Sequence, residues 1–220
     1  MVLTEYYEKY LRGRDAEALE KRIKSLKRKI AQLKRKMESP DYISSSPEKA
    51  NDEKNLALLR LYLKRTKEAL CDFGVEYQPT PSELRAEEFN NNLCNIERLT
   101  LHIGGFLDGW STYTVYLDDH FYLWIDNIEV LTPTNLEIPE DYPMTKASFL
   151  KELSGLNIGE WRKFYTLSRF GTRVLDGVQW DFQIEYKNGR KPITICGDNA
   201  YPYNFGKLKE LFGVFADDEE

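Results

Sequence analysis

Between Lys21 and Lys36 nine of sixteen residues are basic and none is acidic, yet apolar side chains recur at Leu19, Ile23, Leu26, Ile30, Leu33 and Met37. That 4-3-4-3-4 spacing returns every apolar residue to one side of an α-helix, and it is the heptad pattern of a helix packed lengthwise on another. A strand would scatter the same residues over both faces. The stretch is therefore read as a long helix with two separate uses: an apolar seam that builds structure, and a cationic remainder available to something anionic.

A second helix of the same kind follows. Asp15 is placed to cap the first, which ends at Glu38-Ser39-Pro40, and Ser39 to Pro47 has the prolines and serines of a loop. The second helix is expected to restart at Ser46 or Pro47 and run to about Leu70, with a seam at Leu56, Leu59, Leu63, Thr66 and Leu70 widened by Leu58 and Leu61. Two heptad helices joined by a short loop predict an antiparallel coiled-coil hairpin over residues 1–72. A dimeric coiled coil is the competing arrangement. The Ser/Pro loop interrupts its heptads, while pairing of two hairpins into a homodimer stays open.

Beyond the hairpin the pattern changes. Residues 73–95 read as a linker with Gly74 as a helix stop and a short capped helix from Ser82. From Ile96 the apolar residues alternate. Ile96–Ile103, Thr112–Leu117 and Phe121–Ile125 are expected strands, with Ile128–Leu131 a further one. Helices are expected over Thr145–Leu153 and Ile158–Leu167. Trp180–Tyr186 and Pro192–Cys196 flank Asn188-Gly189, which predicts a hairpin turn with both central residues at positive φ. A last helix is expected to open after Asn199 or Tyr201, with Pro202 in its first turn, and to close at Gly213. The predicted class is α+β: the helical hairpin, then an antiparallel-sheet domain over 96–215 with helices on one face, then an acidic tail at 216–220.

Charge divides along the same line. The whole chain carries −5, but residues 1–72 hold 18 Lys+Arg against 12 Asp+Glu, and residues 73–220 hold 13 against 24. Two surfaces with different partners follow from such polarity. The three cysteines, Cys71, Cys94 and Cys196, are odd in number and widely spaced, which fits reduced thiols and a cytoplasmic location better than a disulfide framework. The first residues lack a secretory pattern, and no run reaches the length of a membrane span. Two histidines without a Cys-x-x-Cys pair suggest no metal site, and no cofactor motif is present.

The densest polar motif is Gly197-Asp-Asn-Ala-Tyr-Pro202. Asp198, Asn199 and Tyr201 would present a carboxylate, an amide and a phenol at a helix N-terminus, a setting suited to hydrolase or transferase chemistry. Each also has a capping, turn or core role open to it. Asp108, Asp176 and Asp181 offer carboxylates, but the first two precede glycine and read as turns. His102 sits in a strand and His120 beside a turn. The aromatics Tyr113, Tyr116, Tyr122 and Trp124 offer a stacking or protein-binding face.

Trp180-Asp-Phe-Gln-Ile-Glu-Tyr186, Asn188-Gly189 and Gly197-Asp-Asn-Ala-Tyr-Pro202 followed by Phe205 and Leu208 resemble the C-terminal part of a family of uncharacterised bacterial and mobile-element proteins. The resemblance covers about forty-five residues. It implies an intact bacterial-type domain and assigns no catalytic residue.

Together these features predict a non-enzymatic binding protein whose hairpin meets nucleic acid, or an acidic protein or nucleoprotein surface, through Lys24, Lys27, Arg28, Lys34 and Arg35. Two alternatives stand beside it. One is a phage- or mobile-element-borne inhibitor of a host nucleoprotein, of the anti-CRISPR kind; the other is an enzyme working at Asp198, Asn199 and Tyr201.

Overall fold

The computed structural model describes residues 3–42, 47–105, 109–117, 121–125, 145–172 and 177–214. The chain is α+β and divides into two compact units, Met1–Pro79 and Thr80–Glu220. The division falls inside the stretch that reads as a linker.

The first unit contains α1 (Leu3–Tyr10), α2 (Ala16–Met37) and α3 (Pro47–Asp72). Asp15 opens α2 by accepting the Ala18 N–H at 2.8 Å, and Gly74, at φ +72°, ends the turn that follows α3. The two long helices pack side by side and antiparallel, for Lys36 at the end of α2 pairs at 2.8 Å with Asp52 near the start of α3. Leu19, Ile23, Leu26 and Met37 of the α2 seam are buried, with Ile30 and Leu33 half-buried. On α3 Leu56, Thr66 and Leu70 are buried as the heptads predict.

Tyr62, outside the expected α3 seam, is more deeply buried than Leu59 or Leu63. The cause is α1, a helix that the sequence reading lacks. Tyr6 of α1 is wholly buried; its ring stacks on Tyr62 with centroids 3.9 Å apart, and its hydroxyl hydrogen-bonds Thr66 Oγ1 at 2.7 Å. Arg22 of α2 donates to the same hydroxyl at 3.2 Å and lays its guanidinium over Tyr10 at 3.8 Å. The expected two-helix hairpin thus carries a third, short helix pinned by tyrosines.

The second unit opens with α4 (Pro81–Asn91), where the Thr80 N–H donates to Glu83 Oε2 at 2.8 Å. Then come β1 (Ile96–Gly105), β2 (Gly109–Leu117), β3 (Phe121–Ile125), α5 (Lys146–Gly155), β4 (Phe164–Thr166), β5 (Val178–Tyr186), β6 (Ile193–Asp198) and α6 (Phe205–Leu211). The sheet has six strands in the order β3-β2-β1-β5-β6-β4. It is antiparallel except at one edge, where β4 runs parallel to β6, a departure from the purely antiparallel sheet expected.

Alternation gives this sheet two unlike faces. Leu99, Leu101, Val115, Leu117, Trp180, Phe182 and Ile184 point into the core, where Phe89 of α4, Phe149 and Leu153 of α5, and Leu208 and Leu211 of α6 meet them. Arg98, Thr100, His102, Thr112, Tyr116, Gln179, Asp181, Gln183 and Glu185 occupy the other face, most of them half-exposed or exposed. Tyr113 and Tyr116 therefore part company: Tyr113 packs on the core, and Tyr116 lies on the polar face in register with Arg98.

Three local expectations are corrected. Ile158–Leu167 is not a helix: a 3-10 turn at Ile158–Glu160 leads into β4. Ile158, Trp161 and Tyr165 are buried at helix-like spacing, but Asn157 takes φ +53° and Trp161 is extended. A Cβ on Gly159 would stand 2.6 Å from the Ala86 backbone, so the chain must approach α4 without a side chain there. In the Asn188-Gly189 turn only Gly189, at φ +72°, is left-handed, so the two-residue loop is absent and the β5–β6 pairing ends at Ile184–Ile193. The last helix begins at Phe205 rather than near Pro202, with Asn204 as the residue before its first turn; it closes at Gly213, φ +68°. Ile128–Leu131, the tail from Ala216, and the side chains of Asp108, His120, Tyr122, Trp124 and Asp176 lie outside the described residues.

Candidate nucleic-acid interface

A helix with a heptad seam arranges its remaining side chains by angle from that seam. Counting from Leu19, residues Lys21, Arg28 and Arg35 project almost directly away from α3, and Lys24 lies one step beside them. Lys24, Arg28 and Arg35 are all exposed, as are Lys21 and Lys29. Among the described residues Lys24 and Arg28 make no ion pair, whereas Lys21 meets Glu17 at 2.6 Å.

Lys27 and Lys34 are different. Both flank the seam and both are half-buried. Lys27 donates to the Tyr77 hydroxyl and lies 4.9 Å from the centre of its ring, whose other cationic neighbour is Lys67 at 4.3 Å. These contacts fasten the segment after α3 to the helical unit. Of the five basic residues singled out in the sequence, three form the outward stripe and two work at its flank. Heptad position separates them: Lys27 and Lys34 share one flanking position, Arg28 and Arg35 the outermost one.

The polar motif after β6 is held together by its own packing. Asn199 takes φ +52°, accepts the Val178 N–H at 2.9 Å through Oδ1 and donates from Nδ2 to Asp198 at 2.8 Å. Tyr201 stacks near Trp180 and lies 5.0 Å from Phe205 between ring centres. Burial first, and the Asp198 charge second, raise its phenol above the ordinary tyrosine range. The helix expected beside this motif starts three to five residues further on, so Asp198 and Asn199 do not sit at its N-terminus. Asn204 occupies that position, buried, accepting from the Trp161 indole at 3.1 Å and donating to the Leu156 carbonyl at 2.7 Å.

On the polar face His102 Nδ1 is 3.2 Å from Asp181 Oδ2, and Gln183 donates to Asp181 Oδ1 at 2.9 Å. Cys196 stands across from Asp181 in the β5–β6 register. Burial, reinforced by Asp181, raises the Cys196 thiol above its usual range. A thiol shifted upward holds less thiolate at any given pH, so it is a slow nucleophile. We expect alkylation of Cys196 by iodoacetamide at neutral pH to lag behind that of exposed Cys71 and Cys94, and to accelerate only above the usual thiol pKa of about 8.5. Peptide mapping over a pH series checks this; fastest labelling at Cys196 near neutrality would contradict the geometry.

Among the described residues no three His, Cys, Asp or Glu side chains gather as a metal site, and no helix is long and apolar enough to cross a membrane. Comparison of the chain with protein families, with curated proteins and with solved structures finds no match.

Proposed function

We propose that the protein binds nucleic acid through the outward face of α2, gripping the phosphate backbone without reading the bases. The observation that carries this reading is the exposed, acid-free stripe of Lys24, Arg28 and Arg35 opposite the buried seam. From Lys24 to Arg35 the helix rises about 16 Å, which matches roughly five steps along one DNA strand at ~3.4 Å each. Several phosphates therefore come within reach of a single rigid face. The guanidinium forks of Arg28 and Arg35 suit paired phosphate oxygens, and Lys24 acts as a point charge. Contacts of this type position a protein on the backbone and confer no sequence preference.

Neutralising phosphates releases condensed counterions, so the affinity must fall steeply with salt. Engagement of about three phosphates on duplex DNA, one for each residue of the stripe, predicts a slope near −2.7 in log K against log salt, or roughly a fortyfold loss between 50 and 200 mM. Fluorescence anisotropy with a labelled duplex of about thirty base pairs measures that slope. Absence of binding at low salt, or binding indifferent to salt, would overturn the reading.

A further inference from the structure

The polar face of the sheet carries a feature that the cationic helix does not explain. Two large aromatic side chains stay in solvent there: Trp110 is 45% exposed and Phe164 63%. They belong to β2 and β4, which are separated in the sheet by β1, β5 and β6. Even so, they line one cleft. The Trp110 indole lies over β1, stacked on His102 with ring centres 4.5 Å apart, and Phe164 stands on the edge strand in register with Cys196.

The cleft has a volume of about 310 Å³, and its remaining lining includes Gln179, Asp181, Gly197 and Asp198. Gly197 contributes backbone to its floor, for a side chain there would point to the opposite, core face, into the Trp180 indole. Two carboxylates and an amide thus lie between two aromatic side chains, and among the described residues no lysine or arginine lines the space. The Lys163 ammonium stands 5.5 Å from the Phe164 ring centre, so that ring already takes a positive charge.

This chemistry selects among occupants. A phosphate or carboxylate would meet Asp181 and Asp198 at like charge. A neutral base would stack on the aromatics but bring no positive charge to carboxylates that Gln183 and Asn199 meet only with neutral amide donors. A planar cation satisfies both, lying against indole or phenyl faces while its N–H groups reach carboxylate oxygens. The surrounding unit favours the same sign: residues 80–220 hold 13 Lys+Arg against 23 Asp+Glu. Charge complementarity and the planarity of the group together point to arginine over lysine.

We infer that the cleft between Trp110 and Phe164 is a docking site for an arginine side chain of a partner polypeptide. This is independent of nucleic-acid binding by α2 and uses residues of the second unit alone.

The test is a titration of ¹⁵N-labelled full-length protein with the peptide Gly-Ser-Gly-Ser-Arg-Ser-Gly-Ser-Gly, its lysine counterpart and its citrulline counterpart, a neutral isostere. Saturable shifts of the Asp181, Cys196, Gly197 and Asp198 amides are expected with the arginine peptide, weaker ones with lysine and none with citrulline. Trp110→Ala and, separately, Phe164→Ala should each weaken the arginine peptide about five- to tenfold, the fold-change of a desolvated cation–π contact. Both side chains are exposed, and unchanged circular dichroism verifies the fold. Three results would each overturn the proposal: no saturable shift, equal binding of citrulline, or undiminished binding by both variants, which would mark general attraction to an acidic surface.

Discussion

Replacing Gly197 by alanine is expected to destabilise the second unit by about 3 kcal/mol, the upper part of the range for forcing atoms into a packed core. A Cβ at this position would fall 2.3 Å from Trp180 Nε1, 2.4 Å from Cε2 and 2.5 Å from the Ala200 carbonyl oxygen. The backbone of β6 is held between β5 and β4, so the indole must give way. Trp180 has little freedom to do so. It is 2% exposed, packs against Phe205 with ring centres 4.5 Å apart, and donates its Nε1–H to the Ala200 carbonyl at 3.0 Å.

Moving that ring breaks a buried hydrogen bond as well as its packing, and a buried donor left without a partner costs a further ~1–3 kcal/mol. Losses of this size consume much of the 5–15 kcal/mol that separates a typical domain from its unfolded chain. Urea unfolding followed by far-ultraviolet circular dichroism gives the number. The same substitution made in a Trp180→Phe background should cost less, since the indole clashes are relieved and only the Ala200 carbonyl contact remains, and that coupling identifies the indole's share. A Gly197→Ala protein within about 1 kcal/mol of the parent would mean that the close approach is not what constrains this glycine.

The tight fit also explains why Gly197-Asp-Asn-Ala-Tyr-Pro202 looks like a site when met as sequence. Its glycine makes room for an indole, its asparagine holds a left-handed turn against Val178, its alanine carbonyl receives the indole N–H, and its tyrosine covers the ring. Clustered polar residues between a strand and a helix signal either chemistry or a demanding turn. Spacing alone does not separate the two, because the indole responsible lies seventeen residues earlier in the chain.

The seam of α2 was legible because 3.5-residue periodicity over five turns has no other economical solution, and the Asp15 cap and Gly74 stop are short-range signals. The alternating strands β1, β5 and β6 were legible for the same reason at period two. What escaped was short or depended on distant partners. Helix α1 is eight residues long, and its one wholly buried side chain, Tyr6, is a tyrosine whose hydroxyl needs Thr66, sixty positions away. Strand β4 has three residues, too few for alternation to register, and the buried Ile158, Trp161 and Tyr165 before and within it imitate a helix. The cleft between Trp110 and Phe164 arises from strand order, which brings β4 to the edge beside β6. Nothing local in either strand announces it.

For the cationic stripe the sequence grouped five residues of α2 as equals. Exposure divides them, with Lys27 committed to Tyr77 and Lys34 half-buried, while Lys24, Arg28 and Arg35 face outward. The two groups should behave differently when altered. Glutamate at Lys24, Arg28 and Arg35 changes the charge of the outward face by six units without touching the seam, so the fold should be unaffected, as is usual for exposed substitutions. Losing three phosphate contacts and placing three carboxylates before a polyanion should lower duplex affinity by at least about a hundredfold at low salt. Glutamate at Lys27 and Lys34 should act first on stability, through the Tyr77 contact, and less on binding.

Binding of the labelled duplex by the Lys24→Glu, Arg28→Glu, Arg35→Glu protein, compared with the parent at 50 mM salt, is the most direct measurement. The stripe as the nucleic-acid contact predicts that binding disappears while the helical circular dichroism signal is unchanged. Affinity equal to that of the parent, in a protein still folded, would contradict it.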